Sequence, residues 1–260
     1  MTDAKKYINK LSGARVLIIG GSSGMGYGVA EASIENGATV IISSSSESKV
    51  RGAVAKLGET YPSAKSRISG YACNLGDLNT LEENVASLFE KVGTLNHVVY
   101  TAGDSLGIMS LESVDIASIQ KAGTVRYFGT IMVAKYAAKY LTPGPESSLT
   151  LTTGSVSERP IKGWSIVNGY ATGLHGLVRG FALDLEPIRV NGISPGAVLT
   201  PLWDNLGPEQ MEQMMDQFKL KSTTGTIGKV EDVAEAFLYV MKDQNVTGTL
   251  ISSNGGGLLK

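Results

Sequence analysis

The chain has 260 residues, 42% of them hydrophobic, with one cysteine, two histidines and a net charge of −1. Such a balance excludes a charge field able to gather nucleic acid or an anionic membrane, and the lone Cys73 excludes an internal disulfide or a cysteine–histidine zinc centre, so no metal is expected. The amino terminus, MTDAKKYINKLSGARV, holds no apolar run of signal-peptide length and nowhere do about 18 apolar residues follow one another, which predicts a soluble, cytoplasmic protein in a reducing compartment.

In chain order, short apolar and β-branched runs alternate with helix-period segments. The expected strands are ARVLII, ATVIIS, RISGYA, NHVVYT, SSLTLTT, IRVNGIS and GTLISS. Seven strands separated by helices predict an α/β fold, a doubly wound parallel seven-stranded sheet covered on both faces, in one domain over residues 1–260. Several runs lack polar alternation, as burial on both sides requires.

Directly after the first strand, IIGGSSGMGYGVAEASIENG sets Gly20, Gly24 and Gly26 at GxxxGxG spacing, with Ser22, Ser23 and Met25 between them. Glycines here permit a tight strand-to-helix turn and let backbone N–H groups approach a pyrophosphate at the helix start. A dinucleotide site is expected, because the loop sits after a strand and before a helix in the first unit of an alternating chain. The second strand runs into IISSSSESKVR, with Ser44 where a carboxylate would exclude a 2'-phosphate. Hydroxyls of Ser44, Ser45 and Ser46, with Lys49 or Arg51, favour NADP(H). A capping box from Ser44 to Glu47 is the other use of these residues, and the two are compatible.

The glycine spacing, VVYTAG at 98–103, SVS at 155–157 and IRVNGISPGAVLTP at 188–201 together resemble the short-chain dehydrogenase/reductase family, in order and over nearly the whole chain. The resemblance implies a Rossmann fold, a nicotinamide cofactor at the carboxyl edge of the sheet, and a homotetramer or homodimer. It also implies cofactor contacts at Ala102, Gly103, Pro195 and Gly196, adenine contact at Asn74, and carboxamide contacts near Val198 and Thr200. Ile19, Tyr100 and Thr101 depart from the family's pattern.

The family's chemistry uses Ser and Tyr on the substrate oxygen, Lys four residues after the Tyr, and Asn on the preceding long helix. Positions i and i+4 share a helical face, so the ammonium lowers the phenol's pKa. Here the only tyrosine with a lysine four residues on is Tyr61, with Lys65, in a proline-bearing segment at the amino edge of the sheet. Aligning on GLVRGFALDLEPIRVN puts Val167 and Ala171 in the places of Tyr and Lys. Tyr170, three positions along, is a candidate acid or a packing aromatic. Ser155, with Ser157 as its near alternative, matches the family's serine. Arg126 stands in the place of the Asn and needs a partner, either a cofactor or substrate anion or a structural carboxylate.

Gly169, Gly173, Gly176 and Gly180 form a stripe on the same helix that predicts close approach of another backbone, and His175 beside it reads as a surface or interface residue. Residues 201–228 read as a substrate lid or an ordinary surface helix. Trp164, Trp203, Met211, Met214 and Met215 would suit an apolar small molecule if they line it. The departures are similar to those of atypical members, including fungal reductases of prenylated indole alkaloid pathways that reduce an iminium and direct a cycloaddition. An NADPH-dependent reductase of a carbonyl or iminium in secondary metabolism is therefore expected. A redox-neutral cyclase and a silent NADP-binding protein remain as alternatives.

Overall fold

The structure, a computed structural model, describes residues 6–204 and 207–260. Each expected strand forms. In chain order the elements are β1 (Arg15–Ile19), α1 (Gly24–Glu35), β2 (Thr39–Ser44), α2 (Glu47–Thr60), β3 (Ile68–Ala72), α3 (Leu81–Val92), β4 (His97–Tyr100), α4 (Ile116–Gly123), a π turn (Thr124–Phe128), α5 (Gly129–Tyr140), β5 (Ser148–Thr152), α6 (Ser165–Asp184), β6 (Arg189–Pro195), α7 (Pro208–Lys221), α8 (Val230–Lys242) and β7 (Leu250–Ser253). All neighbours pair in parallel, in the order β3-β2-β1-β4-β5-β6-β7.

The absence of polar alternation has the expected cause. Leu17 and Ile19 of β1 enter one buried layer with Phe89, while Val16 and Ile18 enter the other with Phe237. Both faces of the strand are dry. The strand order reverses between β1 and β4, which opens a crevice beyond their carboxyl ends. Among the described residues no helix is long and apolar enough to cross a membrane.

The opposite edge of the sheet carries buried polar groups. His97 Nδ1 lies 2.9 Å from Ser148 Oγ, and Arg189 donates to the carbonyls of Met241 at 2.9 Å and Val246 at 3.3 Å. Burial, with Arg189 nearby, pushes the His97 pKa down from 6.5 to about 3. The unfolded chain therefore binds this proton more readily than the folded one, so stability is full above about pH 6.5 and is lost as pH falls toward 3. In His97→Gln, urea midpoints followed from pH 7 to 4 should fall less steeply than in the parent, a difference of about 2–5 kcal/mol across the range. Parallel curves would show that His97 titrates alike in both states.

Candidate active site

The crevice is built first by glycines. Gly20 leaves β1 with φ +93°, and a Cβ there would lie 2.5 Å from Ala102 N. Its N–H and that of Gly21 bond Ser43 O at 2.9 and 3.1 Å, which ties the loop to β2. At Gly26 a Cβ would lie 2.3 Å from Gly20 O, so α1 can reach the turn only without a side chain. Ser23 is the N-cap of α1, yet its hydroxyl makes no capping bond. The first-turn N–H groups of α1 are thus left for a ligand.

Around this turn lies a cavity of about 640 Å³. Its wall brings together Gly20, Ser22, Ser23, Gly24, Met25, Gly26, Ser44, Ser45, Asn74, Ala102, Gly103, Pro195, Gly196, Val198 and Thr200. At one end Ser22 Oγ and Ser44 Oγ are 2.8 Å apart, and Lys49 Nζ donates to Ser45 Oγ at 3.5 Å. Two expectations fail there. Ser46 is off the wall as the N-cap of α2, its hydroxyl 3.3 Å from Ser48 Oγ. The capping box from Ser44 does not form, because Ser44 ends β2 and its hydroxyl is paired with Ser22.

The other end holds Ser155, Arg126, Tyr170, Val167 and Ala171. Ser155 and not Ser157 faces the cavity. Ser157 is buried, donates to Gly154 O at 2.7 Å and lies 2.8 Å from His175 Nε2, which accounts for both residues within the fold. Thr153 Oγ1 donates to Ala171 O at 2.8 Å and fixes α6 against the end of β5. Among the described residues, Lys49 is the only lysine on the cavity wall, and it sits at the β2 end. The Tyr61–Lys65 pair is far from it: Tyr61 closes α2 and donates to Glu35 Oε1 at 2.7 Å.

Tyr170 reaches the wall, but its hydroxyl donates to Ile119 O at 3.0 Å and its ring packs on Tyr127 with centroids 5.4 Å apart. Burial, with Tyr127 adding, raises its pKa. A phenol already committed to a carbonyl and made a weaker acid is a strut between α4 and α6, which corrects its candidacy as an acid. The glycine stripe does not meet another backbone within this chain. Only Gly173 meets a neighbour inside the chain, the Tyr127 ring, whereas Gly169, Gly176 and Gly180 face open space.

Arg126 sits in the π turn. Its Nε lies 3.4 Å from Asp104 Oδ1, and its Nη2 also donates to Asp104 O. The side chains are 29% and 37% exposed, so the pair lies at the cavity wall rather than in the core. A Cβ at Gly103 would lie 2.7 Å from Arg126 Nη2, so the glycine makes room for the guanidinium. Burial raises the Asp104 pKa against the opposing charge of Arg126, and burial lowers that of Arg126. Within the chain Arg126 meets this carboxylate as an opposite charge only: its Nε and Asp104 Oδ1 are both buried without a hydrogen-bond partner. Sequence reading missed Asp104, although TAGD placed it one residue past Ala-Gly, in the loop after β4 at the strand-order reversal.

In the 201–228 segment, Asn205 and Leu206 lie outside the described residues. Trp203 and Phe218 line the cavity, with ring centroids 6.1 Å apart, and Trp203 Nε1 donates to Val198 O at 2.8 Å. Trp164 also lines it. Met211, Met214 and Met215 do not; Met215, on α7, is buried away from it.

A family model described as an SDR-like Rossmann domain matches residues 7–260. The chain belongs to the short-chain dehydrogenase/reductase family. Among its relatives, short-chain dehydrogenase/reductase fsr5 of Gibberella fujikuroi is 46% identical and malC of Malbranchea aurantiaca 42% identical, each match covering 100% of both chains. The solved structure of the MalC reductase/Diels-Alderase from Malbranchea aurantiaca superposes with a TM-score of 0.91 at 44% identity, over 98% of this chain and 100% of that one. A small-chain dehydrogenase solved with NADPH shares the fold, with a TM-score of 0.78 at 23% identity over 96% of this chain. The turn fits the nicotinamide cofactor of this family, since the start of α1 carries no side-chain cap and opens on the cavity.

Proposed function

We propose that the protein is an NADPH-dependent reductase of an apolar small molecule bearing a carbonyl or an iminium, of the kind used in secondary metabolism. The Asp104–Arg126 pair carries this reading: it is an ion pair at the cavity wall, at the end where Ser155 also stands. The pyrophosphate would be held by the turn Gly20–Gly26 and the start of α1, and a 2'-phosphate by Ser22, Ser44, Ser45 and Lys49. When bound, the nicotinamide supplies a hydride. The Ser155 hydroxyl and the Arg126 guanidinium are hydrogen-bond donors for a substrate oxygen, and Asp104, whose pKa burial raises against the opposing charge of Arg126, is the carboxyl placed to pass a proton to an alkoxide. An iminium becomes a neutral amine on accepting hydride and needs no acid; ionised Asp104 then serves as its counter-charge.

Leu106, Ile161, Trp164, Leu202, Trp203 and Phe218 give the substrate end an apolar lining. Of the 201–228 segment, Leu202, Trp203 and Phe218 reach the cavity wall and act as part of a lid on a single domain. The open face of α6 at Gly169, Gly176 and Gly180 suits assembly as a homodimer or homotetramer.

The test is loss of NADPH absorbance with a panel of apolar ketones and cyclic iminium salts; no oxidation with any of them, at saturating cofactor, would remove the proposal. A redox-neutral cyclisation is the second reading, motivated by the name of MalC, and it predicts product without NADPH oxidation. Ser44→Asp should weaken NADPH at least about tenfold relative to NADH in fluorescence titrations, because a carboxylate then faces the phosphate. An unchanged ratio would place the phosphate elsewhere.

A further inference from the structure

We propose that Tyr100 is a positioning residue, whose phenol hydroxyl holds the π turn at 124–128 and so aims the Arg126 guanidinium at Asp104. The inference rests on the reading of Arg126 and Asp104 as the reactive pair, but it is argued from the backbone. In an α-helix the N–H of residue 129 would bond the carbonyl of residue 125. Here Gly129 N bonds Thr124 O instead, five residues back. The released Val125 carbonyl takes the Tyr100 hydroxyl. Gly129 admits that hydroxyl, since a Cβ there would lie 2.5 Å from Tyr100 Oη.

The bond joins the two segments that carry the ion pair. Tyr100 ends β4, and the chain runs from it through Thr101, Ala102 and Gly103 to Asp104; Val125 is the residue before Arg126. Thr101 N is fixed to Ile19 O at 2.8 Å, so the β4 end is a rigid reference. From the other side Thr130 Oγ1 donates to Arg126 O at 2.9 Å, and Thr124 Oγ1 to Gln120 O at 2.8 Å. One π turn shifts the register of a helix by one residue, about 100° of rotation. Arg126 lies inside the shifted turn, so its direction depends on whether the turn persists. Tyr100 is buried among apolar neighbours, where a phenylalanine would fill almost the same space. Burial also raises the pKa of its phenol, which makes it a fixed donor and not a proton shuttle.

The experiment needs no substrate. Asp104 is titrated by NMR of ¹³C-aspartate-labelled full-length protein, in the parent and in Tyr100→Phe. Asp104 faces Arg126 and Lys121, while Tyr100 faces Arg126, Cys73 and Asp104. With the turn released and the guanidinium displaced, the Asp104 midpoint should rise by about one pH unit. The same substitution in an Arg126→Gln background should leave it unmoved. Gly129→Ala, which drives the hydroxyl off the carbonyl and favours a regular helix, should raise the midpoint in the same direction and guards against a poorly folded Tyr100→Phe. A folded Tyr100→Phe or Gly129→Ala with the parent's midpoint overturns the proposal, as does a shift that persists without Arg126. Should the midpoint rise as expected while kcat on a confirmed substrate stays unchanged, Tyr100 positions Arg126 but the reactive role given to Arg126 falls.

Discussion

Asp104→Asn is expected to lower reductive turnover by about 10²–10³-fold while NADPH affinity stays within about twofold. The amide keeps the volume of the carboxyl but has neither a proton to deliver to an alkoxide nor a charge to set against an iminium. The adenosine end of the cavity, at Ser22 and Ser44, does not touch Asp104, so cofactor binding is the internal control. The pH profile separates the two substrate classes. Carbonyl reduction needs the carboxyl protonated, so kcat/KM falls as pH rises through the Asp104 pKa, which burial places above the ordinary carboxylate value. Iminium reduction needs it ionised, so the rate falls as pH drops through the same value. The Asn variant should flatten whichever limb the parent shows. Turnover within threefold of the parent would move the chemistry away from this residue.

Gly20→Ala should be the most damaging single methyl in the cofactor half. Two effects add. The backbone at φ +93° strains any L side chain, at a cost of about 1–3 kcal/mol. The new Cβ would also lie 2.5, 2.7 and 2.8 Å from Ala102 N, Ala102 Cα and Thr101 C. Those atoms belong to backbone pinned by Thr101 N to Ile19 O, so they can retreat only by opening the β1–β4 ladder. A total loss of about 3–5 kcal/mol is expected, lowering Tm by roughly 10 °C for a chain of this size. NADPH affinity should fall at least a hundredfold, because the turn that would hold the pyrophosphate is displaced. Gly52→Ala is the matched control: it lies within α2, meets nothing within 4 Å and has no positive φ, so the methyl should stabilise by about 0.5–1 kcal/mol. Calorimetry and cofactor titration of both variants check the pair, and equal melting temperatures would show that the Gly20 turn is not constrained as described.

Sequence alone determined the seven strands and their two-sided burial, because strand period, β-branching and glycine punctuation are local properties. It also determined the glycine turn and the serine-rich end of β2, whose residues are close in sequence to the elements that present them. Local spacing could not say which hydroxyl of SVS faces inward. The fold decided it: Ser157 is taken up by Gly154 O and His175, leaving Ser155 on the cavity wall. Nor could spacing show that Tyr170 is bound to a carbonyl 51 residues away.

The meeting of Asp104 with Arg126 was beyond sequence reasoning for a specific reason. The two lie 22 residues apart and on different elements, and their approach depends on a π turn that disrupts the 3.6-residue period from which helix faces are read. Periodic patterns report what a residue's own helix or strand does with it. Which side chain completes a charged pair across a crevice is set by packing between elements, and only the tertiary structure contains that.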